Sequence, residues 1–121
     1  MLGKSFDDSS PLFIQIKERI EDQIIDGAIV ADEQIPSTTQ IVEFYKINHI
    51  TVSKGVNLLV DEGILYKKRG VGIFVSKDAK NNLITKRQQN FRAQYLLPML
   101  TEAGKLGISV EQIIKMIQEV S

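Results

Sequence analysis

The residues that could carry out chemistry are few in this chain of 121 residues, and their spacing does not suit catalysis. The chain has no cysteine and a single histidine, His49, at the start of a predicted helix. The Ser, Thr and acidic residues near it are explained as helix caps or surface residues, so no nucleophile–base pair is visible. No His, Cys or Asp cluster has the spacing of metal ligands. We therefore expect that the protein is not an enzyme and has no catalytic residue, metal site or cofactor.

The side chains around His49 suit a different chemistry, the recognition of DNA bases. A helix is predicted from about His49 to Asp61, with one apolar stripe to bury. That stripe consists of Val52, Val56, Leu59 and Val60. The other side chains near the helix N-terminus are short polar or apolar groups that can reach base edges. These candidate DNA-binding residues are Asn48, His49, Ile50, Thr51, Ser53 and Lys54. A surface helix that happens to be polar would look the same, so the helix alone leaves both interpretations open.

A cationic hairpin after this helix favours DNA binding. Two runs with the β-branched and aromatic bias of strands, Ile64–Lys67 and Ile73–Ser76, flank a connection that contains Gly70 and Gly72. A hairpin with a cationic tip can lie over the DNA backbone or reach into the minor groove. The cations at or near the tip are Lys67, Lys68 and Arg69. The Gly-Val-Gly spacing fits neither a dinucleotide-binding loop nor a P-loop.

The elements that must position these residues form the pattern of a winged helix-turn-helix over residues 11–78. An amphipathic helix is predicted after Ser10 as cap and Pro11 in the first turn, and it stops near Gly27. A connector that ends at Ile35 has room for a short strand. A Ser37–Gln40 capping box then starts a short helix, whose apolar face is expected to include Ile41, Phe44 and Tyr45. The turn Lys46–Asn48 leads into the recognition helix. Residues 1–10 are expected to be a flexible N-terminus.

The remaining residues, 79–121, are predicted to form a two-helix dimerisation segment. A polar linker, Lys77–Asn82, precedes a long helix from about Leu83, which Pro98 should kink or end early. A second capping box, Ser109 to Gln112, starts a last short helix. A helix pair alone buries too little apolar area to be stable, so its apolar faces must pack on the winged domain or on a second chain. The residues expected at a dimer interface are Phe91, Tyr95, Met99, Ile113 and Ile117. The predicted fold class is thus mostly α with a small β-hairpin.

The charge distribution supports a nucleic-acid partner although the net charge is zero. Residues 1–66 carry 5 Lys and Arg against 11 Asp and Glu, whereas residues 67–92 carry 8 against 1. Screening limits each charge to a reach of about 8 Å at physiological salt, so a local basic patch can bind phosphate whatever the total. No signal peptide and no apolar run of about 20 residues is visible, so we expect a cytoplasmic protein without a membrane contact.

Several short motifs in order resemble the GntR family of bacterial transcriptional regulators, and the tail resembles its YtrA subfamily. The tail likeness runs from Phe91-Arg-Ala-Gln-Tyr through Glu102-Ala-Gly-Lys-Leu-Gly-Ile-Ser. The resemblance implies a winged helix-turn-helix homodimer joined by its C-terminal helices, which represses nearby operons that often encode membrane transporters. Such dimers bind palindromic operators in double-stranded DNA. The motifs of the winged part are Pro11-Leu-Phe-Ile-Gln-Ile, Gly27-Ala-Ile, Ile35-Pro-Ser-Thr, Ile47-Asn-His-Ile-Thr-Val and Gly70-Val-Gly-Ile-Phe-Val.

The resemblance also implies where DNA contacts fall. They are expected at Ser37 and Thr39, along the N-terminal part of the recognition helix, and on the wing at Lys68, Arg69 and Gly70. Thr39 stands where the family usually has Arg, and His49 stands where Arg or Pro is common. The operator sequence therefore cannot be taken from relatives.

Two alternatives remain open. A winged module can serve protein contacts only, and a DNA titration would separate that function from regulation. An unidentified small-molecule effector has no domain of its own in so short a tail, so it would bind at the dimer interface or between tail and winged domain. Phe91 and Tyr95 would then line a ligand site instead of forming interface core. The sequence does not distinguish a repressor from an activator.

Overall fold

The computed structural model describes residues 6–121 and divides the chain into two compact units, one ending at Ile84 and the other spanning Thr85–Ser121. It contains six α-helices, one π-helical turn and one two-stranded antiparallel sheet within the described residues. The predicted fold class, mostly α with a small hairpin, is confirmed. Residues 1–5 of the expected flexible N-terminus lie outside the described residues.

The first helix, α1 (Leu12–Ile25), supplies one wall of the core. Ile16, Ile20 and Ile24 recur at helical spacing and are all buried. The N-cap is Pro11, without a side-chain cap, so the prediction of Ser10 as the cap was wrong by one residue. The Ser10 carbonyl instead accepts a hydrogen bond from the Gln15 side chain at 2.7 Å.

The N-terminal segment makes more contacts than a loose polar stretch would. The Phe6 ring lies 5.0 Å from the Tyr45 ring in an edge-on arrangement. The Arg19 guanidinium lies over Phe6, 3.9 Å from the ring centroid. Asp7 accepts from the Gln15 side chain with its carbonyl oxygen at 2.8 Å. Phe6 and Asp7 are therefore in contact with residues of the first two helices of the winged unit.

Helices α2 (Thr38–Tyr45) and α3 (His49–Asp61) form the helix-turn-helix. The predicted capping box is present, because Ser37 Oγ accepts from the Gln40 amide and the Gln40 side chain accepts from the Ser37 amide. Lys46 ends α2 in the left-handed conformation, with φ 57°. The turn between the two helices therefore spans only three residues, Lys46–Asn48. Phe44 is 54% exposed, so the prediction that it shares the buried face with Ile41 was wrong.

A close approach between α1 and α3 explains Gly55 in the middle of α3. A Cβ at this position would lie 2.6 Å from the Phe13 carbonyl oxygen, closer than real Cβ contacts. Val52, Val56 and Leu59, on the same side of α3, are buried in the core. The opposite side of α3 is consequently left for other contacts.

The wing is a hairpin of β1 (Leu65–Lys68) and β2 (Gly72–Val75), with Leu65 opposite Val75 and Lys68 opposite Gly72. The two strands lie within one residue of their predicted bounds. The connector before Pro36 runs beside β2 and forms an isolated antiparallel bridge between Gln34 and Phe74. The connector therefore does not form a strand of its own, and its main-chain hydrogen bonds to β2 give a single bridge.

Helix α4 (Ala79–Phe91) starts inside the segment that was expected to be a polar linker. That prediction was wrong because Ala79 and Leu83 occupy one apolar face and are fully or almost fully buried in the core of the winged unit. The first compact unit therefore extends to Ile84, beyond the predicted domain boundary at residue 78.

The tail accommodates Pro98 without ending its helical path. A π-helical turn, Arg92–Leu96, connects α4 to α5 (Leu97–Lys105), and the Leu97 amide donates to the Arg92 carbonyl, five residues back. A proline removes one intrahelical donor, and widening one turn redistributes the carbonyls that lack one. Gly107 has φ +70°, and Ser109 then caps α6 (Val110–Val120) with the predicted capping box. None of the helices described between residues 6 and 121 has both the length and the apolar character needed to cross a bilayer.

Candidate nucleic-acid interface

The N-terminal part of α3 presents the side chains that the sequence pointed to. Asn48, His49 and Lys54 are exposed, and Thr51 and Ser53 are partly exposed. Ile50 is 75% exposed, so its aliphatic side chain is available on the face of α3 opposite the core. A protruding aliphatic group between polar neighbours can contact a thymine methyl group in the major groove.

Two of these residues are already engaged within the protein. The Asn48 side-chain oxygen accepts from the Ile50 amide at 2.7 Å, which caps α3. Because this oxygen is engaged, Asn48 can contact a base chiefly through its two side-chain N–H donors. His49 Nδ1 lies 3.4 Å from Ser53 Oγ, one helical turn along. This pair places an imidazole and a hydroxyl side by side on the exposed face.

Two lysines, Lys54 in α3 and Lys67 in β1, are held by neutral groups. The Lys54 ammonium lies over the Phe13 ring, 4.1 Å from its centroid. Lys67 Nζ donates to Asn57 Oδ1 at 2.8 Å, which connects β1 of the wing to α3. Because neither partner is a carboxylate, both charges stay available to phosphate. Asn57 was not among the predicted residues, since nothing in the local sequence signals a contact ten residues away.

The wing presents its cations on a stack of aromatic rings. Tyr66 and Phe74 stack with centroids 5.7 Å apart, and the Lys68 ammonium lies 4.7 Å from the Phe74 centroid. Arg69 is exposed at the tip beside Gly70, whose φ is +76°. The Tyr66 hydroxyl donates to Asp32 at 2.8 Å, and this hydrogen bond raises the pKa of Tyr66. The stack therefore positions Lys68, while Arg69 extends outward.

The start of α2 carries the last two predicted contacts. Thr39 is exposed and Ser37 is exposed apart from its role as the N-cap of α2. Helix α2 packs against α3, so both positions belong to the same rigid unit as the recognition helix. The structure thus connects α3 to the wing through Asn57 and Lys67, and α2 to α3 through packing.

The candidate interface residues of the tail are mostly exposed apolar groups. Phe91, Tyr95, Met99 and Ile117 have between 39% and 59% of their surface exposed, whereas Ile113 is buried. Phe91 and Tyr95 lie with ring centroids 5.4 Å apart. An apolar groove of 540 Å³ runs between α5 and α6. Its apolar lining comprises Met99, Ala103, Leu106, Ile108, Ile113, Met116, Ile117 and Val120.

No group of three or more His, Cys, Asp and Glu residues that could hold a metal ion occurs among residues 6–121.

The winged unit matches the family model described as "Bacterial regulatory proteins, gntR family" over residues 13–75. The chain is 27% identical to the HTH-type transcriptional repressor YtrA of Bacillus subtilis (strain 168) over 113 residues, which cover 93% of this chain and 86% of YtrA. It is 39% identical to the HTH-type transcriptional repressor NagR of the same organism over 67 residues, or 55% of this chain. The chain spans only 28% of the length of NagR.

Solved structures resemble both the whole chain and the winged unit alone. A GntR family transcriptional regulator from Listeria monocytogenes is 27% identical, with a TM-score of 0.75 over 96% of this chain and 100% of that chain. The DNA-binding domain of AraR in complex with operator ORR3 is 30% identical, with a TM-score of 0.55 over 61% of this chain and 89% of that chain. The second structure is of a winged unit bound to an operator.

Proposed function

The chain belongs to the GntR family of bacterial regulatory proteins, and we propose that it acts in the cytoplasm as a homodimeric repressor that binds a palindromic operator near its own gene. It is a DNA-binding transcriptional regulator and not an enzyme. The observation that supports the finer proposal is the exposed N-terminal face of α3, in a helix whose Asn57 side chain accepts a hydrogen bond from Lys67 of the cationic wing.

The division of labour on DNA follows from this geometry. The α3 face offers base contacts through Ile50, Thr51 and the His49–Ser53 pair, which would set sequence preference. Lys54, Lys67, Lys68 and Arg69 would neutralise phosphates and supply affinity independent of sequence. Thr39 cannot provide the cation that the family resemblance implies at this position, so we propose that the wing carries a larger share of the electrostatic affinity here.

The proposed dimer rests on the tail. A unit of 37 residues, Thr85–Ser121, buries few apolar side chains of its own, among them Ala103 and Ile113. The exposed apolar groups Phe91, Tyr95, Met99 and Ile117 need cover. A second copy covers them by two-fold symmetry and places two α3 helices for two half-sites. The regulated genes would be those of the operon beside the operator.

Selection from a random-sequence duplex library with the purified protein tests the proposal. We expect an inverted repeat to emerge, and its affinity should fall steeply as the salt concentration rises. The same repeat should lie in the DNA beside the coding region. A library that yields no preferred sequence, or binding that ignores salt, would favour a winged module for protein contacts instead.

The wing is tested separately with Arg69→Ala. Loss of one phosphate contact should weaken binding to the selected repeat and to random duplex alike, and should lower the salt slope by about 1. His49→Ala or Thr51→Ala should instead change preference among duplexes. If the Arg69 variant and the wild type bind DNA with equal affinity, the tip of the wing does not contact DNA.

An effector would act through the tail. The 540 Å³ groove between α5 and α6 is large enough for a small molecule, and Phe91 and Tyr95 offer a second apolar surface. In the dimer proposed here these surfaces are interface core. An effector that occupied them would therefore compete with dimerisation and release DNA.

A further inference from the structure

The main-chain ladder that supports the wing stops short of its tip. The Asp32 amide donates to the Val75 carbonyl at 2.7 Å, and the Val75 amide donates to the Glu33 carbonyl at 3.0 Å. The Ile35 amide donates to the Ile73 carbonyl at 2.9 Å. Residues 32–35 thus hold β2 from outside the hairpin. Among residues 6–121, no main-chain hydrogen bond continues this ladder from Ile73 toward the tip.

The Gln34 side chain continues this support to the tip. Its Nε2 donates to the Val71 carbonyl at 3.1 Å, across 37 residues of sequence. The same carboxamide packs against Gly72 so closely that a Cβ there would collide with Gln34 Nε2 and lie 3.0 Å from Cδ. Gly72 has φ +154°, which side-chain-bearing residues rarely adopt. At the tip, the Gln34 side chain donates to the Val71 carbonyl, and the absence of a side chain at Gly72 leaves space for Gln34.

Two other side-chain hydrogen bonds between the wing and the rest of the unit hold its first strand instead. Tyr66 is joined to Asp32 and Lys67 to Asn57, and both belong to β1. At the tip, the Val71 amide donates to the Lys68 carbonyl at 2.9 Å, which closes the turn on itself without fixing its direction. The Gln34 contact is what orients this turn relative to the connector.

We propose that Gln34 is a positioning residue for DNA binding, which holds the wing tip so that Arg69 meets the DNA backbone. The inference rests on the proposed function of the wing. Gln34 is neutral, so it can bind the tip without competing with phosphate for Arg69. A glutamate could not serve both needs, because a carboxylate lacks the donor and would compete with phosphate for Arg69.

The experiment uses the full-length protein and the duplex that the wild type selects from the random library. The variants are Gln34→Ala, Gln34→Met, Arg69→Ala and the double variant Gln34→Ala with Arg69→Ala. Gln34→Met keeps the length of the side chain and removes the donor. Gln89→Ala, at an exposed glutamine of α4, is the matched control. Affinity is measured by fluorescence titration, and amide hydrogen exchange is followed without DNA.

We expect both Gln34 variants to bind about three- to tenfold more weakly than the wild type, in keeping with the loss of one positioned hydrogen bond. Exchange should rise at the Val71 amide and stay unchanged at the buried Leu59 amide. In the Arg69→Ala background, Gln34→Ala should reduce affinity for the duplex by a smaller factor than it does in the wild type. The reason is that the side chain that Gln34 positions is already absent. Gln89→Ala should bind as the wild type does.

The outcomes separate the inference from the proposed function. If Arg69→Ala weakens binding but Gln34→Ala has no effect, or an effect that simply adds to that of Arg69→Ala, then Gln34 does not position the wing and the inference is overturned. If Arg69→Ala itself has no effect, the wing does not contact DNA and the proposed function fails at that point. Faster exchange at Leu59 in both Gln34 variants would show general unfolding and would also overturn the inference.

Discussion

Ile50 shows how a single exposed side chain can be interpreted once its surroundings are known. From the sequence it was one of six candidates, and the structure shows it to be 75% exposed at the start of α3, next to the buried Val52. An aliphatic group that the fold leaves in water has no stabilising role there. Its exposure is explained if it contacts another apolar group in the DNA complex.

We predict that Ile50→Ala binds the selected duplex about fourfold more weakly for each methyl-sized contact that is lost. Replacing thymine by uracil in that duplex removes the base methyl group. Uracil should weaken binding of the wild type and leave binding of Ile50→Ala nearly unchanged, as measured by titration. Val30→Ala, at an exposed valine of the connector, serves as the control. If uracil weakens binding equally in the wild type and in Ile50→Ala, Ile50 does not contact the thymine methyl group.

Lys17 is a residue whose role is structural. Its ammonium lies 3.1 Å from Glu21 and 3.4 Å from Glu62, so it joins α1 to the C-terminal end of α3. Burial alone would lower the pKa of Lys17, but the two carboxylates outweigh burial and raise the pKa. Glu21 is itself buried, which makes the loss of its cation costly.

We predict that Lys17→Met lowers the free energy of unfolding by about 1–2 kcal/mol, measured by urea denaturation. A raised pKa means that the charged form is favoured by folding, so this contribution is present at neutral pH and is lost as the pH rises through the raised value above 10.5. Lys77→Met, at an exposed lysine, should change stability little. An equal decrease in the free energy of unfolding of both variants would show that the ion pair of Lys17 does not stabilise the fold.

Helix starts that have a capping box are the elements that local sequence specifies best. Both predicted capping boxes, at Ser37 and Ser109, are present with the predicted partners Gln40 and Gln112. A capping box depends on four consecutive residues, so no distant contact is needed to form it. The start of α4 was missed for the opposite reason, because it is fixed by the burial of Ala79 and Leu83 in a core made by other elements.

We predict that Ser109→Ala destabilises α6 by about 1 kcal/mol, whereas Ser109→Gly costs only a few tenths, because glycine is tolerated at an N-cap. Helix content measured by circular dichroism during thermal unfolding should follow this order. If the two variants unfold alike, the serine hydroxyl does not cap the helix in solution.

The whole molecule has one unit that closes its own core and one that does not. The winged unit buries a continuous cluster from Ile16 to Leu83, while the tail leaves α6 residues such as Ile114, Met116 and Ile117 about half exposed. An apolar helix face of this kind needs cover from another surface. If the proposed dimer forms, assembly and DNA binding are expected to be coupled, because the two half-sites of the proposed operator require two chains.

We predict that Ile117→Lys raises the dimer dissociation constant at least about tenfold, since two-fold symmetry removes the side chain twice. Sedimentation velocity measures the change. Binding to the full inverted repeat should fall more than binding to a single half-site. Gln118→Lys adds the same charge at a residue that does not line the groove, and it should leave the dimer intact. Equal dissociation of both variants would show that charge alone, and not the groove, governs assembly.

The sequence by itself determined the features that depend on neighbours along the chain. These are the capping boxes, the apolar stripe of α3, the glycine-containing hairpin and the polar residues around His49, and together they were sufficient to indicate the winged helix-turn-helix. The tertiary structure alone decided which of those residues remain exposed and what holds them. Ile50 protrudes, Phe44 stays uncovered, Lys67 is held by Asn57, and Gln34 supports a tip 37 residues away. Such contacts join residues that are distant in sequence, and their geometry exists only after the core has packed.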